Sequence, residues 1–311
     1  METELHGPNR GSAPRTITPL STPAVSSVGM LRFPYSSAET HALVKAALDE
    51  DDAFNDLTTM ATVISDRHAR GRLVARANGV LCGVPLGLDA FLTLDPKVTI
   101  RVDREDGSRL TPGDSILYLS GHARALLAAE RVALNFMQRL SGVASMTARY
   151  VDAVKGTRAK ILDTRKTTPG WRLLEKYAVR AGGGTNHRLN LSSAILIKDN
   201  HLASVDGDVG IAVRRARDLA PVGTKVEVEC DRIEQVQAAI DASADIIMLD
   251  NMTLEQMAAC VQLVDRRTIV EASGGVHLDT VRAIAETGVD WISVGAITHS
   301  APALDLALDF E

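Results

Sequence analysis

From Thr157 to the C-terminus the chain repeats one pattern, a short apolar run followed by an amphipathic stretch of helical length. The runs cover residues 160–162, 194–197, 226–228, 246–249, 269–270 and 291–294. Runs this short, without polar alternation, read as strands buried on both faces, and the helices between them supply the crossovers that parallel strands require. Six such units predict an α/β barrel. The competing doubly wound sheet would carry a G-x-G-x-x-G turn after its first strand and an acidic residue further on, and neither is present. Asp231 with Glu234 and Thr253 with Gln256 read as capping boxes, and Gly288 as the C-cap before the last strand.

The chain before this region is built differently. Residues 1–30, rich in Ser, Thr, Pro and Gly and carrying Glu2 and Glu4, lack the apolar core of a signal peptide and read as a disordered tail, with Met30 an alternative start. Residues 31–142 read as an α+β domain on an antiparallel sheet. Its first helix holds Ala42, Leu43, Ala46, Ala47 and Leu48 at helical spacing, and strand-like pieces follow at 72–77, 80–83, 98–102 and 116–120. Asn78-Gly79, Asp106-Gly107 and Pro112-Gly113 supply the turns. A helix over 125–140, with Leu127, Val132, Leu134, Phe136, Met137 and Leu140 on one face, carries Arg131 and Arg139 and bridges to the barrel over 143–300.

Composition narrows the partners. A chain of 311 residues that is 45% hydrophobic and 23% charged builds a sizeable core. An aromatic content of 4% and a formal net charge of -5 disfavour a nucleic-acid platform, although cations gathered in one cleft still attract an anion. Cys82, Cys230 and Cys260 have no metal-ligand spacing and fit a reduced, cytoplasmic setting. No apolar run approaches the roughly 20 residues that span a bilayer, so a membrane is not expected as a partner.

Each barrel strand ends in chemically useful residues: Asp163-Thr164-Arg165-Lys166, then Lys198-Asp199-Asn200-His201, Glu229, Asp250-Asn251, Ser273-Gly274-Gly275 and Gly295. In a β/α barrel those ends converge on the face where active sites form. Loops are polar after any strand, so one such end means little; six with complementary chemistry mean more. Ser273, Gly274, Gly275 and Gly295 follow the last two strands, where glycines let backbone N–H groups approach a phosphate, and His299 adds a donor. Gly-Gly alone is more often a turn. Glu229 and Asp250 suit ribose hydroxyls or Mg²⁺, and either could instead cap the helix after it. Arg165, Lys166, His187, Arg188 and Lys198 gather near the first two strand ends, beside Gly182-Gly183-Gly184; so dense a cationic set calls for an acid-rich ligand. Arg172, Arg180, Arg214, Arg215 and Arg217 read as solvated helix faces.

These residues resemble the quinolinate phosphoribosyltransferases, over about residues 39–310. The resemblance is carried by Glu130-Arg131, Ala133-Leu134-Asn135 and Leu140-Ser141-Gly142, by Asp163-Thr164-Arg165-Lys166-Thr167, by Gly182-Gly183-Gly184 with Asn186-His187-Arg188, and by Lys198-Asp199-Asn200-His201. It continues through Val226-Glu227-Val228-Glu229, Leu249-Asp250-Asn251 and Glu271-Ala272-Ser273-Gly274-Gly275. It implies an N-terminal α/β sandwich followed by an open α/β barrel of the type II phosphoribosyltransferase kind, with residues 301–311 packing back on the first domain. It implies a homodimer or larger assembly with shared sites, Arg131 crossing to the partner's quinolinate. The implied quinolinate set is Arg131, Arg165, His187, Arg188 and Lys198. Lys166 and Lys198 lie near the pyrophosphate, Glu229 and Asp250 near ribose and Mg²⁺, and Ser273, Gly274, Gly275, Gly295 and His299 at the ribose phosphate. The implied reaction joins quinolinate to phosphoribosyl pyrophosphate, giving nicotinate mononucleotide, pyrophosphate and CO2 in NAD biosynthesis, with Lys166, Lys198, Glu229 and Asp250 as its catalytic groups. Three rivals stand beside it: a transferase for a monocarboxylate such as nicotinate, a Schiff-base aldolase using Lys198, and a non-catalytic nucleotide sensor.

Overall fold

The computed structural model describes residues 31–311, and the tail expected over 1–30 lies outside them. The first part of the chain runs α1 (Ser37–Glu50), α2 (Leu57–Thr62), β1 (His68–Ala75), β2 (Gly79–Val80), α3 (Val84–Leu94), β3 (Thr99–Val102), β4 (Arg109–Leu110), β5 (Ser115–His122) and α4 (Ala123–Ala153). Ser36 and Glu39 form a reciprocal capping box that starts α1. The strand expected over 80–83 is cut to Gly79–Val80, which pairs with β4, because the chain turns at Gly83 (φ 100°) into a helix. Pro85 sits in the first turn of α3, where its missing N–H costs nothing, and Leu86, Ala90 and Phe91 fill the core. Period-two reading misses this helix because its segment is apolar almost throughout.

The rest comprises β6 (Lys160–Leu162), α5 (Arg172–Ala181), β7 (Ile195–Ile197), α6 (Asp199–Ala203), α7 (Val209–Leu219), β8 (Val226–Cys230), α8 (Ile233–Asp241), β9 (Ile246–Asp250), α9 (Leu254–Val264), β10 (Ile269–Ser273), α10 (Val281–Glu286), β11 (Trp291–Ser293), α11 (Ala296–His299) and β12 (Leu306–Phe310). One sheet has the order β6-β11-β10-β9-β8-β7 with every pairing parallel. Chain neighbours sit side by side all the way round except for β6 and β7, the order of a barrel opened between its first two strands. A lone parallel bridge from Leu162 to Thr185 stands in that gap. The Thr253–Gln256 capping box forms and Gly288 (φ 95°) ends α10 as expected. The Asp231–Glu234 box does not: the N-cap of α8 falls one residue later, at Arg232, and the Asp231 N–H donates to Gln235 Oε1 instead (2.9 Å).

The antiparallel sheet has the order β12-β1-β5-β3, so the last strand of the chain completes the first domain, pairing Gly71 with Phe310 through to Ala75 with Leu306. Helix α4 binds the two parts. It does not stop near 140 but continues to Ala153, because Ser141 Oγ is tied to both backbone groups of Cys82 (2.9 and 3.1 Å) rather than to its own helix. Its early turns bury Val132, Phe136 and Met137, and its later turns bury Val143, Ala144 and Ala148. Among the described residues, no helix is long and apolar enough to cross a membrane.

Gly142 lies where α4 crosses the backbone of residues 302–303, and a Cβ there would collide with Pro302 and Ala303. Gly142→Ala is expected to cost about 1–3 kcal/mol by overpacking, read as a lowered denaturant midpoint with an unchanged m-value. An unaltered midpoint would mean that this crossing is not tight.

Candidate active site

Asp163, the residue after β6, is fully buried and organises one side of the strand-end face. It accepts from Lys176 Nζ (2.5 Å), Asn186 Nδ2 (2.7 Å) and the His187 N–H (2.8 Å). Lys176 also donates to the His187 carbonyl (2.9 Å), and Asn186 to the Lys176 carbonyl (2.9 Å). Burial pushes Asp163 up and Lys176 down, each against the other's charge, so the hydrogen bonds are what make the pair tenable. The strand end, α5 and the segment after the three glycines are thus fastened at one point.

Two arginines sit on this frame. Arg165 is half-buried, and its Nη1 is fully buried with no acceptor. Arg188 donates from Nη1 to the Ala194 carbonyl (2.9 Å), and burial followed by the Arg165 charge lowers its pKa. Lys198 is half-exposed and paired with Glu229. Lys166 is exposed, but its carbonyl accepts from Thr298 Oγ1 (2.7 Å), and both its stem and the His299 ring lie 3.2 Å from where a Gly295 Cβ would stand. The phosphate corner expected from Gly295 and His299 is therefore shared with Lys166.

Asp250 accepts from Asn251 Nδ2 (2.7 Å) and is level with Ser273 on the next strand. Gly274 (φ 87°) leaves no room for a side chain against Asn251. Glu229 and Asp250 end adjacent strands and offer hard oxygen donors only, which fits an ion that keeps water and substrate oxygens in its shell. Arg131, by contrast, is 60% exposed on α4, with Glu130 the nearest acid at 4.0 Å, and no contact joins it to Arg165 or Lys198 within the described chain.

Three features escape the sequence reading. Arg172 is not a solvated face residue: it is half-buried and donates to Thr167 Oγ1 (3.1 Å) and the Leu189 carbonyl (3.4 Å), holding two site loops together. Arg139 donates to buried Glu175 (2.8 Å) and to the carbonyls of Thr298 (2.6 Å) and Ala301 (2.9 Å), so α4 reaches the segment after β11. Beneath the cations lies a third group: His187 Nε2 is 3.3 Å from Glu227 and 3.5 Å from Glu271, and these three side chains are 10%, 2% and 0% exposed. The spacing of Glu227 two before Glu229, and of Glu271 two before Ser273, was the available signal, since i and i+2 share a strand face.

Among the described residues these three are the one group whose donor atoms, within 4.8 Å of one another, have metal-site spacing. Burial, then the Glu227 charge, pushes Glu271 up to about 8. Burial pulls His187 down, but the two carboxylates outweigh it and hold the imidazole above its usual value. A cavity of roughly 760 Å³ opens at the opposite end of the barrel, between Arg158, Lys225, Asp245, Arg267 and Asp290. Its Arg158–Asp290 and Lys225–Asp245 pairs already satisfy each other, and it sits at the wrong end of the strands for chemistry.

Comparison with known proteins gives two family matches, to the quinolinate phosphoribosyl transferase C-terminal domain over residues 143–309 and to the N-terminal domain over residues 56–141. The chain is 46% identical over 274 residues to a nicotinate-nucleotide pyrophosphorylase [carboxylating] of Mycobacterium leprae, covering 86% of this chain and 95% of that one. A probable enzyme of the same name from Bacillus subtilis is 42% identical, with 84% and 89% covered. The solved nicotinate-nucleotide pyrophosphorylase of Francisella tularensis superposes with a TM-score of 0.84 at 38% identity, over 90% of this chain and 98% of that one.

A carboxyl whose folded pKa is raised from 4.5 to about 8 binds its extra proton only in the folded state across that window, so its contribution to stability is lost as pH rises through it. Glu271→Gln should therefore gain on the parent by about 1 kcal/mol per pH unit between pH 5 and 8 in chemical denaturation. Parallel stability curves for the two proteins would show that Glu271 titrates normally.

Proposed function

The chain belongs to the quinolinate phosphoribosyltransferase family, and on that premise we infer how its residues carry out the family's reaction. The protein transfers the phosphoribosyl group of phosphoribosyl pyrophosphate to quinolinate with loss of CO2, giving nicotinate mononucleotide for NAD biosynthesis. The observation that carries the assignment of the acid pocket is the buried, unpartnered Arg165 Nη1 beside Arg188: a guanidinium nitrogen withdrawn from water without an acceptor costs free energy that a bound carboxylate recovers. Two arginines, His187 and Lys198 match two carboxylates better than one, which favours quinolinate over nicotinate.

Quinolinate's pair of carboxylates is gripped by Arg165, Arg188, His187 and Lys198, which orients the pyridine nitrogen toward the ribose carbon. Ser273, Gly274, Gly275, Gly295 and His299 hold the ribose phosphate, and Lys166, beside Gly295, faces the pyrophosphate. Glu229 and Asp250 take the ribose hydroxyls and stabilise the positive charge that develops as pyrophosphate departs. They would also hold Mg²⁺, which when bound neutralises charge on the leaving pyrophosphate. Lys198 leaves its pairing with Glu229 when the acid arrives, so one residue serves both halves of the site. Membership of the transferase family sets the aldolase reading aside.

Arg131 completes the acid pocket from a second copy of the chain in a homodimer. Its exposure on α4, away from the other site residues, supports this reading. Cytoplasmic residence accords with three unpaired, buried cysteines.

Arg165→Ala and Arg131→Ala should each lower kcat/KM for quinolinate at least about 100-fold while leaving the thermal transition in place. Unchanged kinetics in both would remove the acid-site assignment. An equimolar mixture of Arg131→Ala and Lys198→Ala chains should regain up to about a quarter of parental activity, because half of randomly mixed dimers keep one whole site. Exchange demonstrated without recovery would place Arg131 in its own subunit's site.

A further inference from the structure

The binding scheme leaves a buried network beside Lys166 without a role. Lys166 is exposed, so packing does not fix where its ammonium stands and its backbone must. The Lys166 N–H donates to Thr164 Oγ1 in its own loop (3.1 Å), but its carbonyl accepts from Thr298 Oγ1 of α11, 132 residues further on (2.7 Å). Thr298 is fully buried, and its own carbonyl accepts from Arg139 Nη2 of α4 (2.6 Å). The same nitrogen donates to Glu175 Oε1 of α5 (2.8 Å). Glu175, also fully buried, accepts from Thr168 Oγ1 (2.8 Å) and from the Thr168 N–H (3.1 Å). Thr168 follows Lys166 by two residues, so the hydrogen bonds close into a ring that runs from the loop after β6 through α11, α4 and α5 and back.

Two further ties stiffen the ring. Arg139 Nη1 donates to the Ala301 carbonyl (2.9 Å), and Trp171, at the start of α5, stacks on Phe136 of α4 with ring centroids 5.2 Å apart. A buried guanidinium and carboxylate add little stability over an apolar pair of the same volume, because both are withdrawn from water. What this pair contributes is geometry: both oxygens of Glu175 are engaged, and Arg139 spends its remaining donors on backbone carbonyls at the end of α11. The Lys166 backbone is thereby held at a set distance from Gly295 and His299. Glu175 and Thr298 are closed to solvent, so neither touches a substrate, and any effect on the reaction passes through Lys166 and α11.

We propose that Thr298, Arg139 and Glu175 are positioning residues for the phosphoribosyl donor, setting the span between Lys166, which faces the pyrophosphate, and the Gly295–His299 turn, which holds the ribose phosphate. The span matters because both anionic ends of phosphoribosyl pyrophosphate hang on one ribose, and the site must meet them together. A cation displaced by about 1 Å from the leaving group loses much of its effect where the charge develops. The acid pocket is built from other residues, Arg165, His187, Arg188 and Lys198, so the ring acts on one substrate and not on the other.

This inference rests on the reading of Lys166 given above, and the test separates the two. Thr298→Val keeps the outline of the side chain and removes the hydroxyl that donates to the Lys166 carbonyl and, at 3.2 Å, to that of Gly295; Thr298→Ser keeps the hydroxyl. In steady-state turnover of the full-length protein, Thr298→Val should raise KM for phosphoribosyl pyrophosphate about tenfold, with Thr298→Ser close to the parent. The dissociation constant of quinolinate alone, measured by calorimetry, should stay within about twofold. In a Lys166→Ala background Thr298→Val should add less than about twofold, because a residue that acts through Lys166 then has nothing to position. Glu175→Gln should move the same KM in the same direction, so the outcome does not hang on the folding of one variant. An unchanged KM in both Thr298→Val and Glu175→Gln, an equal loss of quinolinate affinity, or full additivity with Lys166→Ala would overturn the positioning role and leave the ring purely structural. Lys166→Ala with parental kinetics would overturn the reading of Lys166 itself, and the positioning role with it.

Discussion

Everything at the strand-end face hangs on a buried carboxylate, Asp163, that two side chains and one backbone N–H satisfy together. Its three hydrogen bonds, from Lys176, Asn186 and the His187 backbone, join β6 to α5 and to the segment that follows the glycines. Burying an aspartate and a lysine costs more than their attraction alone returns, so the hydrogen bonds must all be made together. That demand, together with the single Leu162–Thr185 bridge, fixes where His187 and Arg188 emerge in the gap between β6 and β7. The opening of the barrel and the placing of its cations are therefore one structural fact.

The site is layered by charge. Cations line the cavity, buried carboxylates lie beneath them, and the glycine turns after β10 and β11 carry no charge. Such an arrangement suits two unlike anions at once: a dicarboxylate that needs fixed guanidinium groups, and a phosphoribosyl donor that needs backbone donors and a mobile lysine. Quinolinate and phosphoribosyl pyrophosphate are such a pair. The layer beneath matters because a cavity built only of cations would repel itself when empty, and Glu227, Glu271 and Glu229 moderate that repulsion.

Two long-range ties hold this face to the rest of the molecule. Arg139 of α4 reaches the carbonyls of Thr298 and Ala301, and β12 returns to pair with β1. The first domain thus buttresses the segment after β11 through a helix whose middle is pinned at Ser141.

Sequence alone determined the six parallel strands, since short unalternating runs separated by helical periodicity have few other solutions, and it determined that Arg165, Lys166, Lys198, Glu229, Asp250 and Ser273 lie on one face, because strand ends in such a sheet converge. The motifs from Glu130 to Gly275 also identified the family. It could not determine which polar residues are spent on structure. Arg172 read as a surface charge but holds loops; Arg139 had no role assigned but ties α4 to the loop after β11; Asp231 read as a cap but is not one; α3 hid in an apolar run. Only the tertiary fold decided these, and only it brought His187, Glu227 and Glu271 within 4.8 Å of one another from three separate segments. The reason is physical: periodicity reports which face a residue takes within its own element, whereas hydrogen-bond partners and desolvation depend on distances between elements that no local pattern encodes.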